Sequence, residues 1–184
     1  MRPPRGPSIT VRPATEADAP VIADIYNQGI VDRLATLETE ERTADERRAW
    51  LAGRDARHPV LVAERRGEVV GWGSLNPFNP RPAYRFVADF SIYVERAARG
   101  SGVGGALLGA LVAEARRLGY HKLVLAAFPF NPAGMTLYRR FGFREVGVYR
   151  EQGRLDGRWV DVVVMELLLD ETGDGRRETG DGRR

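Results

Sequence analysis

The chain has 184 residues, of which 43% are hydrophobic and 9% aromatic, and its formal net charge is +3. This length and composition are typical of a globular protein with one hydrophobic core and favour a single domain. The absence of cysteine excludes disulfides, thiolate metal ligands and a cysteine nucleophile.

The positive charge is spread along the chain and does not form a basic stripe. Two arginines lie in residues 1–8, and residues 170–184 hold four arginines against five acids, so residues 9–169 keep a net charge of +2. Nucleic acid binding is therefore not expected. No apolar run reaches the roughly 18 residues of a membrane span, and the first residues lack the apolar segment of a signal peptide. We expect a cytoplasmic protein without membrane contact.

Both ends of the chain have a composition that predicts disorder. Residues 1–8 are rich in proline, arginine and glycine and have no apolar pattern. Residues 171–177, which are rich in glycine and charge, are repeated without change as residues 178–184. We expect a disordered arm over 1–8, one domain over 9–169 and a disordered tail over 170–184.

The first predicted elements are a strand over 9–13 and two helices. Thr15 and Asp18 resemble a capping box at the start of the first helix, and Thr43 with Glu46 forms a fuller one at the start of a second helix over 43–51. The later predicted elements are strands over 60–63, 69–75 and 86–94, a long helix ending near 119, a strand over 123–127, a helix over 131–142, and strands over 143–149 and 160–168. This order predicts an α/β (α+β) fold with a mixed, mostly antiparallel sheet of about seven strands and about four flanking helices.

A glycine-rich turn over residues 99–105, Arg-Gly-Ser-Gly-Val-Gly-Gly, joins the strand over 86–94 to the long helix. Glycines let the backbone come close to a ligand, and the free amides and positive dipole end of a helix N-terminus suit a phosphate. A dinucleotide-binding turn would follow the first strand of an alternating unit, and a P-loop would have Lys before Ser or Thr. Neither pattern is present, so the turn is interpreted as an anion-binding loop of another kind.

The Arg-x-x-Gly-x-Gly pattern of Arg99, Gly102 and Gly104, after an antiparallel meander, resembles the pyrophosphate loop of the GCN5-related N-acetyltransferases. The helix that begins at Asn131 and ends in Phe-Gly-Phe at 141–143 is similar to one in the same superfamily. The resemblance runs from about residue 9 to 168 and implies the GNAT fold, acetyl-CoA as cosubstrate and no metal. The acetyl-CoA contacts that it implies are Ile92, Tyr93, Val94, Arg99, Gly100, Ser101, Gly102, Val103, Gly104, Gly105 and Asn131.

Four shorter stretches resemble the branch of phosphinothricin and arsinothricin acetyltransferases, which acetylate the α-amine of glutamate-like amino acids. They are Tyr26-Asn27 and residues 81–84, 89–94 and 157–162. The resemblance implies a small-molecule amine acceptor, such as phosphinothricin, arsinothricin or methionine sulfoximine, and a homodimer.

Acetyl transfer from a thioester needs a neutral amine and a proton for the departing thiolate. Without cysteine, and with neither His58 nor His121 in a triad-like motif, direct attack is favoured over an acyl-enzyme. The resemblance implies that Asp89 accepts the amine proton, through water because the branch has the longer glutamate here, and that Tyr138 is the acid near the CoA sulfur. The alternatives are an acid on a solvated strand face and a core aromatic.

On the acceptor side, the resemblance implies that Arg81 and Tyr84 bind the acidic end of the substrate, since an arginine fork can hold a carboxylate or phosphinate by two bonds. A solvated loop arginine is the alternative. The resemblance also places Tyr26, Asn27 and Leu37 in the pocket, although Tyr26 and Leu37 could equally be core and Asn27 a helix end. Asn131 could be a helix cap alone. Trp159 could form a dimer contact, a pocket wall or part of the core.

Two other functions stay open on the sequence. The acceptor could be a protein N-terminus or a polyamine, which would require an open acidic groove. The chain could also be a noncatalytic acyl-CoA sensor that keeps the fold without the chemistry.

Overall fold

The computed structural model describes residues 8–169; the predicted arm, apart from Ser8, and the repeated tail over 170–184 lie outside them. Within this range, seven strands and four α-helices follow in the predicted order. The strands are β1 (Ile9–Pro13), β2 (Val60–Arg65), β3 (Glu68–Pro77), β4 (Val87–Val94), β5 (Lys122–Ala127), β6 (Arg144–Leu155) and β7 (Arg158–Leu168). The helices are α1 (Ala19–Asp32), α2 (Ala44–Ala52), α3 (Val103–Arg117) and α4 (Pro132–Arg140).

The seven strands form one sheet in the order β1-β2-β3-β4-β5-β7-β6. Every neighbouring pair is antiparallel except β4 and β5, which are parallel. The prediction of a mixed, mostly antiparallel sheet with four helices is therefore confirmed. None of the helices in the described part of the chain is long and apolar enough to span a membrane.

Each face of the sheet has its own core. On one face, α3 buries the predicted apolar stripe, including Leu107, Leu108 and Leu111, and α4 adds Met135 to the same cluster. On the other face, α1 and α2 enclose a smaller cluster around Ile25 and Trp72. Because each fully buried leucine-sized side chain contributes about 1.5–3 kcal/mol, these two layers fix the sheet between the helices.

The parallel pair β4 and β5 holds together over only three residues. The ladder joins Val87, Ala88 and Asp89 to residues 122–124, and neither strand pairs with the other beyond Asp89. Both strands continue, β4 to Val94 and β5 to Ala127. The sheet is therefore open between them on the side towards the glycine-rich turn.

The hairpin of β6 and β7 is longer than predicted. The sequence pattern ended a strand at 149, whereas β6 continues to Leu155 and turns through Asp156 and Gly157, which have φ of 46° and 81°. Two residues with positive φ are typical of a tight hairpin turn. The ladder shifts register between Tyr149 and Gly153, and this bulge interrupts the alternation of apolar residues on which the prediction rested.

Candidate active site

A cavity of about 730 Å³ lies where β4 and β5 separate. Its walls come from β4, the glycine-rich turn, α4 and the end of α1. Of the predicted cosubstrate residues, it contacts Ile92, Tyr93, Val94, Arg99, Gly100, Gly102, Gly104, Gly105 and Asn131. The splayed strands thus create the space that the sequence pattern assigned to a ligand.

The glycine-rich turn has the conformation that its glycines favour. Gly100 and Gly102 have φ of 74° and 93°, which are backbone angles that residues with a side chain rarely adopt. Gly102 is also the N-cap of α3. The first amides of α3 have no acceptor within the helix. Together with the helix dipole, they form a site for an anion at the wall of the cavity.

Two residues of the turn are occupied by contacts within the protein. The Ser101 hydroxyl donates to the carbonyl of Ala98 at 2.6 Å and accepts from Arg65 at 2.9 Å, while the Val103 side chain is fully buried in the core. Neither residue lines the cavity. The Val103 amide at the start of α3 stays suited to a phosphate, whereas the Ser101 amide already donates to the carbonyl of Ala98 at 3.4 Å; the Ser101 contact with acetyl-CoA stays a prediction.

Arg99 is held at the same end of the cavity by Asp32 at the end of α1. Its guanidinium forms an ion pair with Asp32 at 2.6 Å and donates to the carbonyl of Val94 at 3.3 Å. Asp32 also pairs with Arg96 at 2.6 Å, and these two arginines lower the pKa of its carboxyl. A cation fixed beside free helix amides fits a pyrophosphate, so the residues present suit acetyl-CoA.

Asn131 caps α4, as its position predicted. Its Oδ1 accepts from the amide of Gly134 at 3.0 Å, and its Nδ2 donates to the carbonyl of Leu34 at 3.2 Å. The side chain therefore joins α4 to the loop after α1 at the cavity wall. Its contact with the pantetheine arm stays a prediction.

Tyr138 belongs to the core and to the cavity at the same time. Its ring lies 5.9 Å from the ring of Phe90 and 6.1 Å from that of Phe143, and it also lines the cavity. Burial, and secondly the nearby charge of Asp89, raise the pKa of the Tyr138 phenol to about 12. The hydroxyl therefore keeps its proton at neutral pH and can serve as an acid but not as a phenolate base.

Asp89 is the last residue of β4 that pairs with β5. Burial raises the pKa of its carboxyl to about 6, against the opposing effect of a hydrogen bond with Asn76, which lies directly opposite on β3. Asp89 is thus half-buried and not fully solvated, and its role as the base stays a prediction. A carboxylate with this pKa is ionised at neutral pH yet basic enough to accept a proton.

The three acceptor residues of α1 and its following loop occupy different surroundings. Tyr26 is buried, with its ring 4.9 Å from that of Tyr93. Asn27 exchanges two hydrogen bonds of 2.9 and 2.8 Å with the backbone of Arg42 and so fixes the loop between α1 and α2. Leu37 packs against Gly153 of β6, where an added Cβ would lie 2.7 Å from it. Their contact with an acceptor stays a prediction.

Arg81 and Tyr84 lie apart from the cavity. Both are in the connection between β3 and β4, where residues Pro82–Tyr84 form a short 3-10 helix. Arg81 is exposed, and the Tyr84 ring lies 5.5 Å from that of Phe78. The 730 Å³ cavity contacts neither residue, so their role in binding the acceptor also stays a prediction.

Three polar residues next to these groups carried no signal in the sequence pattern. Arg47 on α2 stacks over the Tyr26 ring at 4.0 Å, and its buried Nε has no hydrogen-bond partner among the described residues. Asn76 contacts Asp89, and Arg54 contacts Asn76 at 3.1 Å. A lone arginine near a helix end and an asparagine at a strand end have many ordinary explanations, which is why the pattern did not single them out.

Comparison with known proteins gives the same assignment as the fold and the cavity. The Acetyltransferase (GNAT) family matches residues 24–143, which include the glycine-rich turn and α4. Fold and site define an enzyme that transfers an acetyl group from acetyl-CoA to an amine. The chain belongs to the Acetyltransferase (GNAT) family, and it is an acetyl-CoA-dependent N-acetyltransferase.

Relatives of known name cover nearly the whole chain. An L-methionine sulfoximine/L-methionine sulfone acetyltransferase of Salmonella typhimurium is 35% identical over 164 residues, which is 89% of this chain and 96% of the relative. A phosphinothricin N-acetyltransferase of Streptomyces coelicolor is 33% identical over 165 residues, covering 88% and 96% of the two chains.

Solved structures share the fold over the same length. A phosphinothricin acetyltransferase from Sinorhizobium meliloti, in complex with acetyl-CoA, superposes with a TM-score of 0.82 at 33% identity and covers 93% of this chain and 94% of its own. A ribosomal-protein-alanine N-acetyltransferase from Brucella melitensis has a TM-score of 0.83 at 39% identity, with 86% and 99% coverage.

Proposed function

We propose that this enzyme transfers the acetyl group of acetyl-CoA to the α-amine of a small amino acid or glutamate analogue, of the phosphinothricin, arsinothricin or methionine sulfoximine type. The amine attacks the thioester directly, without an acyl-enzyme. Asp89 is the base and Tyr138 the acid. The names of the relatives support the substrate class, since they acetylate methionine sulfoximine, methionine sulfone or phosphinothricin.

The observation that carries the proposal is the position of a half-buried carboxylate at the last paired residue of β4 and β5, with a protonated phenol on the wall of the adjoining cavity, which Asp89 itself does not line. The pKa of Asp89 is raised to about 6 by burial. The Tyr138 phenol is close enough for the charge of Asp89 to raise its pKa, which reaches about 12, and it lines the cavity. Two groups whose surroundings separate their pKa values in this way can divide the work of base and acid.

The proposed step is balanced in atoms and charge. The amine nitrogen bonds to the thioester carbonyl carbon, and the proton that it loses passes to Asp89 through water. The carbon–sulfur bond breaks, and the thiolate takes the proton of Tyr138. The products are an amide and free CoA thiol; Tyr138 and Asp89 then return to their starting protonation states by exchange with solvent.

Thiol release in the presence of acetyl-CoA tests the substrate class and the two roles. Phosphinothricin, methionine sulfoximine and arsinothricin should be acetylated faster than free methionine or glutamate. Asp89→Asn should lower kcat by about 10²-fold or more, the usual contribution of a general base, and Tyr138→Phe should lower it as well. In the wild type, log(kcat/KM) should fall with pH as the amine is protonated, and should fall more steeply below about pH 6, where this second acidic limb reports Asp89. Absence of turnover with every amino acid would rule out the substrate class.

The Brucella relative gives a specific reason to test a second acceptor, a protein N-terminus. Its name describes acetylation of a ribosomal protein at alanine. A peptide that begins with alanine should be a poor acceptor here if the small-molecule proposal is correct. Faster turnover of the peptide than of any free amino acid would favour this second function instead.

A noncatalytic sensor predicts a different set of results. It would bind acetyl-CoA tightly, measured by calorimetry, while thiol release stays at the background rate in the wild type, Asp89→Asn and Tyr138→Phe alike. Loss of turnover in either variant, with acetyl-CoA affinity unchanged, would exclude the sensor.

A further inference from the structure

We infer that Arg54 and Asn76 are positioning residues for Asp89: Arg54 fixes the orientation of the Asn76 amide, which then directs its NH₂ group towards Ser91 and Asp89. The inference rests on the proposed role of Asp89 as base. It concerns polar side chains of the connection after α2 and of β3 that the sequence pattern did not single out.

The sheet register places the amide against the carboxylate. Asn76 on β3 is directly opposite Asp89 on β4, and Ser74 is directly opposite Ser91, two residues earlier on β3 and two residues later on β4. Directly opposed residues point to the same face of a sheet with Cβ atoms about 4.5–5.5 Å apart. The four polar side chains therefore form one cluster on the face that α1 and α2 cover.

The donors around Asn76 decide which way its amide points. Arg54 donates to Asn76 Oδ1 at 3.1 Å, and the Ser74 hydroxyl donates to the same oxygen at 3.0 Å. A guanidinium has donors only, so the amide atom that faces Arg54 must be the oxygen. The NH₂ group is then on the opposite side, where Nδ2 donates to Ser91 Oγ at 3.2 Å, on the face that Asp89 shares directly opposite Asn76. Asn76 also lowers the pKa of the Asp89 carboxyl, against the larger effect of burial.

Arg54 is itself held in one geometry. Its Nε donates to the carbonyl of His58 at 2.7 Å, its Nη2 donates to the carbonyl of Leu75, and its guanidinium stacks over the Trp50 ring at 5.0 Å. No carboxylate forms an ion pair with it within residues 8–169. An arginine that is half-buried without an acid and directed at one amide oxygen has the geometry of an orienting group.

The cluster acts on Asp89 through a hydrogen bond, because a donor stabilises the ionised form of a carboxylate. The other titratable groups that face Asp89 or the same space do not take over this role. They are the protonated Tyr138 of α4, Tyr26 of α1 and Tyr93 of β4, Arg47 of α2, which stacks over the Tyr26 ring, and Lys122 of β5, which is paired with Glu166. Removing the Asn76 donor should therefore raise the pKa of Asp89.

The pH dependence of kcat/KM for the best amino acid acceptor tests the inference. Asn76→Ala should move the acidic limb of the profile to higher pH, and the isosteric Asn76→Asp should move it by about one pH unit or more. The aspartate keeps its contact with Arg54 but exchanges a donor for a second negative charge. A merely structural role for Asn76 would lower stability or acetyl-CoA affinity without moving this limb.

The role of Arg54 is tested by Arg54→Lys, which keeps the charge but loses the planar fork. It should shift the limb in the direction of Asn76→Ala and add no further shift in the double variant. Arg57→Lys is the matched control, since Arg57 lies on the same connection and donates to the carbonyl of Arg85 without contacting Asn76. A shift in the control equal to that of Arg54→Lys would overturn the role of Arg54.

Failure of the inference is distinguishable from failure of the base assignment. If Asp89→Asn keeps wild-type kcat and pH profile, the proposed function fails at Asp89. If Asp89→Asn loses activity but both Asn76 variants keep the wild-type limb, the positioning inference alone is overturned. In the Asp89→Asn background, Asn76→Ala should have no further effect on the profile.

Discussion

At the scale of single residues, Asp89 shows how a site can cost stability. Its pKa in the folded protein is about 6, above the value of 3.8 for a free side chain. Between these two pH values the folded chain binds more protons than the unfolded chain, so stability decreases as the pH rises through this window. Above pH 6 the ionised, half-buried carboxylate opposes folding.

Asp89→Asn should therefore stabilise the protein at neutral pH while it removes activity. The shift in pKa corresponds to at most about 3 kcal/mol, and partial contact with water reduces the expected gain to about 1–2 kcal/mol. Thermal unfolding of both proteins at pH 8 and pH 4 measures it. The gain should be present at pH 8 and absent at pH 4; an equal gain at both values would show that the charge is not its cause.

At the scale of elements, α3 combines two kinds of glycine. Gly102 is the N-cap with φ of 93°, whereas Gly109 lies inside the helix, outside the cavity wall, and an added Cβ there would meet only the Phe141 ring, at 3.7 Å. The first position needs a conformation that alanine avoids, and the second does not.

Gly102→Ala should lower stability by about 1–2 kcal/mol and raise KM for acetyl-CoA, because the turn must distort. Gly109→Ala is the matched control and should raise stability by about 0.5–1 kcal/mol through helix propensity, with KM for acetyl-CoA unchanged. Chemical denaturation and acetyl-CoA titration measure both effects. If both variants had the same stability and the same KM for acetyl-CoA, the positive φ of the turn would not be required for cosubstrate binding.

The same elements show which features the sequence could predict. Helix starts depend on local spacing: the capping box at Thr43–Glu46 begins α2 as predicted, and the apolar stripe of α3 is buried. The box at Thr15–Asp18 begins a short 3-10 helix, and α1 starts only after it, at Ala19. The contacts of Asp89 depend on strand register and on Arg54, which is 22 residues from Asn76 along the chain. No local pattern contains such a pairing, so the sequence indicated Asp89 only by resemblance and did not indicate its neighbours.

At the scale of the whole molecule, β6 is an edge of the sheet and leaves apolar side chains uncovered. Val146, Val148, Tyr149 and Trp159 on the β6–β7 hairpin are 57%, 45%, 56% and 61% exposed. The alternative that Trp159 belongs to the core is therefore wrong. It instead lines a second cavity of about 720 Å³ together with Arg33 and Phe130. An exposed apolar patch on an edge strand favours association with another chain.

We propose that this hairpin forms the interface of the homodimer that the family resemblance implies. Light scattering after size exclusion should give a dimer for the wild type and the monomer mass of 20.5 kDa for Trp159→Glu, because a charge would be buried without a partner. Thr10→Glu places the same charge on β1, at the opposite edge of the sheet, and should leave the dimer intact. A monomeric wild type would contradict the dimer, and a dimeric Trp159→Glu would place the interface on another surface.

Since Leu37 of the predicted acceptor pocket packs on the same hairpin at Gly153, dissociation should also raise KM for the amino acid more than KM for acetyl-CoA.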